Sequence, residues 1–186
     1  MRDEGLYVFE SHEKLNIERF IGLEYLCLSH NKLFNLHGVG ECVNLIELNL
    51  SFNNIEDIYP LKNCQKLEKL WLSNNRISEI KILVELKNLK LVSLYKNKLK
   101  SLDEIVVVFR QLPKLEELDL DRNPATKKYL YKYDVLYSLR LSTLDGEHVS
   151  EIDYELAKSF KKERISKASK KRENIKIVFY FQRKFG

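Results

Sequence analysis

The chain has 186 residues, 44% hydrophobic and 32% charged, with six Gly, three Pro and a formal net charge of +5. That composition excludes a disordered chain, and so few turn formers exclude a sandwich of many tight hairpins. The positive excess is local: residues 158–172 hold eight Lys or Arg against one Glu, which leaves the remainder mildly acidic, unlike a basic nucleic-acid-binding domain.

In chain order, residues 1–22 carry Leu6, Val8, Leu15, Ile17 and Phe20. These are expected to form a helical N-terminal cap. Residues 23–124 then repeat one pattern five times. LEYLCLSHNKL begins at Leu23, LIELNLSFNNI at Leu45, LEKLWLSNNRI at Leu67, LKLVSLYKNKL at Leu89 and LEELDLDRNPA at Leu115. The first four starts are 22 residues apart and the last step is 26. Within L-x-x-L-x-L the apolar positions alternate, which predicts a short strand opening each unit. Leu26 and Leu28, Leu48 and Leu50, Leu70 and Leu72, and Leu118 and Leu120 then share one side. No single unit can bury them, but a stack of units can, with its strands parallel on the inner curve.

Asn31, Asn53, Asn75, Asn97 and Asn123 close the strands. An amide side chain supplies both donors and an acceptor to backbone groups that the turn leaves without ladder partners. The return limbs carry Leu33, Leu36 and Val39, and their equivalents Ile55, Ile58 and Leu61, then Ile77, Ile80 and Leu83. Cys42 and Cys64 fall at the same repeat position as Leu86 and Leu112, so both are predicted core residues. A 22-residue unit has room for only a turn or so of helix on its outer side, whereas the 26-residue unit admits a fuller helix over Leu102–Leu112.

Residues 125–150 are expected to cap the last coil, with Tyr129, Tyr133, Val135, Leu136 and Leu139 on a helix and a shortened sixth unit from Leu141. Residues 151–186 read as a basic helix, with Ser150 as its N-cap, followed by the apolar, strand-like run IKIVFYF at 175–181. Left free, that run would be an aggregation hazard, so it is expected to pack on the solenoid or on a partner.

These residues resemble the leucine-rich-repeat family, in the 22-residue subfamily typified by the leucine-rich regulatory subunit of protein phosphatase 1 and the leucine-rich axonemal dynein light chain. The stretch from Asn123-Pro124 through Tyr131 and Val135 to Leu141-Ser142-Thr143-Leu144-Asp145-Gly146 is similar to that subfamily's C-terminal cap. Lys132 stands where Arg is usual, and Ser138-Leu139 where Leu-Pro is usual. The resemblance implies an α/β solenoid: a right-handed superhelix with parallel strands on the concave face, short 3-10 or α turns on the convex face and helical caps. It also implies action by binding, with no catalytic residue and no cofactor. The implied setting is cytoplasmic, cytoskeletal or ciliary, with a nuclear ribonucleoprotein or a phosphatase regulator as alternatives.

The third, fifth and seventh positions of each strand point away from the core, and the eighth lies at the edge of the concave face. The residues expected to meet a partner there are Tyr25, Phe52, Lys69, Trp71, Leu91, Tyr95, Glu117, Asp119 and Asp121. Trp71, the only Trp in the chain, is directed outward with Phe52, Leu91, Tyr95 and Tyr25 near it. Exposed aromatic groups of this kind are enriched at binding hot spots. The acidic fifth unit would orient a partner bearing Lys or Arg.

Lys161, Lys162, Arg164, Lys167, Lys170, Lys171 and Arg172 form the basic segment, a candidate for RNA or an acidic tubulin tail. The expected partner is a helix or globular protein domain, and the chain is expected to be a monomer. No metal is expected, because the carboxylates of the fifth unit alternate along one strand without an enclosing loop. His12, His30, His37 and His148 fit no zinc or nucleophile pattern and read as solvated surface residues. Three Cys without a CxxC pair, and no apolar signal core at the N-terminus, predict a reduced intracellular compartment. No stretch approaches 18 apolar residues, so no membrane span is expected.

Overall fold

A computed structural model describes residues 22–185, with side chains through residue 169. Residues 1–21, which hold the expected N-terminal cap, lie outside the described residues. Seven strands form one sheet in chain order: β1 (Tyr25–Cys27), β2 (Glu47–Asn49), β3 (Lys69–Trp71), β4 (Leu91–Ser93), β5 (Glu117–Asp119), β6 (Thr143–Leu144) and β7 (Glu147–His148). Neighbours from β1 to β6 are parallel. The molecule is an α/β solenoid, as the repeat pattern requires.

The register places equivalent residues side by side. Leu26, Leu48, Leu70, Val92, Leu118 and Leu144 form one continuous column across the sheet, and all are buried. The return limbs close the core from the other side, with Ile55, Ile58, Leu61, Ile77 and Leu83 inaccessible or nearly so. Cys42 and Cys64 are buried core residues, and burial pushes the Cys64 thiol up to about 12. Cys27 is exposed.

The asparagines sew each coil to the one before it. Asn53 Nδ2 donates to the Leu28 carbonyl at 2.9 Å and to its own coil's Leu50 carbonyl at 3.0 Å. Its Oδ1 accepts from the Leu33 amide at 3.0 Å. Asn75, Asn97 and Asn123 repeat these three bonds one coil further along each time. The backbone groups orphaned by the inward turn are thus satisfied by side chains.

On the convex side the 22-residue units carry 3-10 turns at Val39–Glu41, Tyr59–Asn63 and Lys81–Glu85. The longer unit carries helix α1 (Leu102–Phe109), whose N-cap Ser101 accepts a hydrogen bond from the Glu104 amide. The sequence predicts this helix through Leu112, but it ends at Phe109. Pro113 disfavours a helical conformation at the residue before it, which shortens the helix.

The last coil ends in a hairpin. Asp145 and Gly146 both have positive φ, at 54° and 79°. That is the conformation of a two-residue Asp-Gly turn, and it brings β7 back antiparallel to β6. Helices α2 (Tyr131–Ser138) and α3 (Glu151–Phe185) pack on each other beyond the hairpin. Tyr129, predicted on the cap helix, lies outside it and is 85% exposed. Leu130 holds a φ of 62°, which an α-helix cannot contain, so α2 starts one residue later. Leu139 likewise falls just past the end of α2, although it is buried as expected.

Ser150 caps α3 as predicted. Its hydroxyl oxygen accepts from the Asp153 amide, while the Asp153 carboxylate accepts from the Ser150 hydroxyl at 2.7 Å and amide at 2.9 Å. Those bonds from Ser150, with Lys132 nearby, hold the Asp153 carboxyl down at about 2. The strand-like reading of residues 175–181 is overturned, because the backbone there continues α3 as helix. Neither Gly nor Pro occurs between residues 147 and 185. An established helix propagates at low cost through a segment without a breaker, even one rich in β-branched and aromatic residues.

Candidate functional site

The concave face is built from rows that the sheet register defines. One row reads Tyr25, Glu47, Lys69, Leu91, Glu117 and Thr143, and the next reads Cys27, Asn49, Trp71, Ser93 and Asp119. Trp71 is half-buried on the face opposite its neighbours Leu70 and Leu72, which are fully buried. The period-two alternation therefore directs the indole to the sheet's inner surface rather than into the leucine stack.

Between Trp71 and Asp119 the same row carries only Ser93. This small side chain leaves a hollow of about 320 Å³ lined by Trp71, Leu91, Ser93, Glu117, Asp119 and Thr143. The structure thus joins four of the predicted residues, Trp71, Leu91, Glu117 and Asp119, in one cavity. Asp121 is exposed beside it, and its amide donates to Asp119 Oδ1 at 3.2 Å.

Other predicted residues stand apart from that cavity. Phe52, expected beside Trp71, instead stacks on His30 with ring centroids 4.2 Å apart, and remains 47% exposed. Its backbone has a φ of 60°, which swings the side chain to the edge of the face. Tyr25 lies two strands from Lys69 and is exposed. Lys69 pairs with Glu47 across β2 and β3 at 2.8 Å. Tyr95 is half-buried at the edge, with the Arg122 guanidinium 5.4 Å from its ring centroid.

Sequence reasoning placed Tyr131 in the cap but missed its bond to Asp145. Its hydroxyl donates to Asp145 Oδ2 at 2.5 Å, while Asp145 Oδ1 accepts from the Leu120 amide at 2.8 Å. Burial first, and then Asp145, push the Tyr131 hydroxyl far above the usual phenol range. Burial also raises the Asp119 and Asp145 carboxyls, with further contributions from neighbouring carboxylates. The Asp119 Oδ2 accepts from the Ser93 hydroxyl at 3.2 Å, and Ser93 in turn meets the Ser73 hydroxyl at 2.7 Å.

Within the basic segment, Arg164 is held by Asp134 of α2 at 2.5 Å, and Lys167 by Glu163 at 2.6 Å. Lys161 lies over the Tyr137 ring, and Lys162 is exposed. The side chains of Lys170, Lys171 and Arg172 lie outside the described residues. Among the described residues His30, His37 and His148 are exposed. No group of three or more His, Cys, Asp or Glu there has the arrangement to hold a metal ion. No helix among them is long and apolar enough to cross a membrane.

Parallel strands repeated at fixed spacing, an asparagine ladder and an open inner face define a repeat solenoid. Family models agree: "Leucine Rich repeats (2 copies)" matches residues 43–85 and "Leucine rich repeat" matches residues 65–124. Residues 43–124 of the chain are leucine-rich repeats. No curated protein matches it significantly.

Solved structures share the fold. An internalin, inlF of Listeria monocytogenes, is 25% identical with a TM-score of 0.57, over 70% of this chain and 37% of that one. The SNF/U2A' complex of Drosophila melanogaster contains a chain 24% identical with a TM-score of 0.61, over 73% of this chain and 80% of that one. A leucine-rich-repeat protein of Leptospira interrogans is 30% identical with a TM-score of 0.56, over 67% of this chain and 32% of that one. This chain therefore spans about a third of the length of the two bacterial proteins.

Proposed function

We propose that the protein is a non-catalytic scaffold that holds a protein partner, a helix or a globular domain, against its concave face. Leucine-rich-repeat domains generally mediate protein–protein interaction. The observation that carries the reading is the half-buried Trp71 beside Leu91 at the wall of an open hollow. An indole so placed gives up its remaining water-exposed surface when a partner covers it, and aromatic groups of this type dominate interface energetics. The cytoplasm, with its cytoskeletal and ciliary structures, is the setting that the resemblance implies.

The test is affinity capture from native extract with the parent chain and with Trp71→Ala. Partner affinity is expected to fall by roughly 30-fold or more, the effect of losing a hot spot of about 2 kcal/mol. Thermal stability should stay near that of the parent, because the indole stands outside the leucine stack. Recovery of the same proteins at the same level by both chains would sink the proposal.

A second reading, a ribonucleoprotein component, draws on the basic residues of α3, of which Lys162 is exposed. It predicts RNA binding that weakens steeply with salt, as release of counterions from phosphates demands. RNA affinity of the full chain, compared with that of a chain lacking residues 158–186 across a salt series, distinguishes it. A shallow salt dependence or unchanged affinity would reject it.

A further inference from the structure

The carboxylates at the C-terminal end of the concave face lack the cation partners that several others on the molecule have. Several acidic groups on the sheet and caps have cations: Glu47 has Lys69, Glu68 has Lys90, Asp134 has Lys128 and Arg164, and Asp153 has Lys132. Glu117, Asp119, Asp121 and Asp145 form no ion pair among the described residues. They do not match a metal site either. Two of them, Glu117 and Asp119, stand on one side of the hollow whose other side is Trp71 and Leu91.

We infer that this hollow receives a single arginine side chain from the protein partner, with the guanidinium between the Trp71 ring and the Asp119 and Glu117 carboxylates. The inference rests on the scaffold reading and names the chemistry that the partner presents there.

The fit follows from the row geometry. Neighbouring strands lie about 4.8 Å apart, so Trp71 and Asp119, two strands apart, are separated by about 10 Å at their backbones. Ser93 leaves the space between them open. A flat guanidinium can stack on an indole face and still donate in its own plane to a carboxylate, which a lysine ammonium cannot do. Leu91 supplies an apolar wall for the three-carbon stem. Two strands away in the same rows, Lys69 is already neutralised by Glu47, so it leaves the acidic end uncompensated. Partial burial and mutual repulsion raise the Asp119 carboxyl in the free protein, and an entering cation offsets the repulsion.

Trp71 is the only Trp in the chain, so its fluorescence reports this hollow alone. The probe is N-acetyl-arginine amide, titrated into the full chain beside the lysine and citrulline equivalents. The arginine probe should shift the Trp71 emission saturably, with a dissociation constant on the order of millimolar for so small a ligand. Citrulline has nearly the same shape without the charge and should give no saturable shift; lysine should bind several-fold more weakly than arginine. In Asp119→Asn the arginine response should vanish while the melting temperature is unchanged or higher, because the native state disfavours the charge at that position.

Equal responses to arginine and citrulline, or an undiminished response in Asp119→Asn, would overturn the inference. A lysine response equal to that of arginine would overturn the choice of side chain. If capture of the partner depends on Trp71 while the arginine probe is silent, this inference alone fails. If the probe binds but Trp71→Ala captures the partner unchanged, the scaffold reading fails instead.

Discussion

Replacing Asn75 with leucine should destabilise the domain by about 3 kcal/mol, among the largest costs available to a single side chain that touches no partner. Asn75 makes four bonds across two coils: its Nδ2 donates to the Leu50 and Leu72 carbonyls at 2.9 and 3.1 Å and, at 3.4 Å, to the Ser73 carbonyl, and its Oδ1 accepts from the Ile55 amide at 3.0 Å. The consequences differ. The Leu50 carbonyl keeps a bond from Asn53, and the Leu72 carbonyl keeps one from Asn97. Each of those losses removes one bond from a group that stays satisfied, about 0.5–1.5 kcal/mol. The Ile55 amide loses its partner entirely in a buried site, which costs about 1–3 kcal/mol. Leucine has the same branched heavy-atom skeleton as asparagine and is somewhat larger, so no cavity is left. Urea unfolding of the parent and of Asn75→Leu measures the sum. Because each coil is bound chiefly to its neighbours, the loss should also weaken coupling between the two halves of the array and lower the denaturant slope. A change below about 0.5 kcal/mol, the range of an ordinary surface substitution, would show that the ladder does not hold the coils together.

The same ladder explains why so much of the fold could be read in the sequence. A solenoid places every residue by its position within a repeat, so five aligned copies locate the strands, the core column and the outward positions without any long-range contact being known. Cys42 and Cys64 could be assigned to the core because leucines occupy their equivalents at 86 and 112. Trp71 could be assigned to the inner face by the same alternation that buries Leu70 and Leu72.

What the repeat does not encode was harder to see. The eighth position adopts a left-handed backbone in all five units, with φ between 53° and 60° at His30, Phe52, Asn74, Lys96 and Arg122. Only His30 and Asn74 are of residue types enriched in this conformation. The turn that carries Phe52 away from Trp71 was therefore hidden. The hollow depends on Ser93 being smaller than its neighbours in the row, a contrast between coils that a search for similarity passes over. The Tyr131–Asp145 bond joins residues 14 apart through the cap, where the repeat has ended. The tail misled through its composition: IKIVFYF favours a strand locally, while the unbroken helix before it decides the outcome.

Tyr154→Phe should cost about 2–4 kcal/mol, although it removes only one oxygen atom. Tyr154 is buried, and its hydroxyl both donates to the Leu141 carbonyl and accepts from the Leu141 amide, each at 2.7 Å. One side chain thus satisfies both backbone groups of a buried residue in the last coil. Phenylalanine keeps the ring in its packing site and keeps the Arg140 guanidinium 4.1 Å from the ring centroid. The substitution therefore isolates the hydroxyl, and both Leu141 groups are left without a partner. The other attachments of α3 to α2 are the Lys132–Asp153 ion pair near its start and, further along the helix, the Tyr133–Phe160 ring contact, the Lys161–Tyr137 contact and the Arg164–Asp134 ion pair. The Arg164 pair is half-exposed and contributes modestly in water. The start of α3 should then open before the repeats do. Hydrogen exchange would show this as faster labelling of residues 151–164 in Tyr154→Phe while the strands keep their protection. The basic residues of α3 would lose their fixed position relative to the concave face without any change in charge. Parent-like exchange across α3, with a loss of less than about 0.5 kcal/mol, would mean that the Leu141 groups find other partners and that the helix is anchored elsewhere.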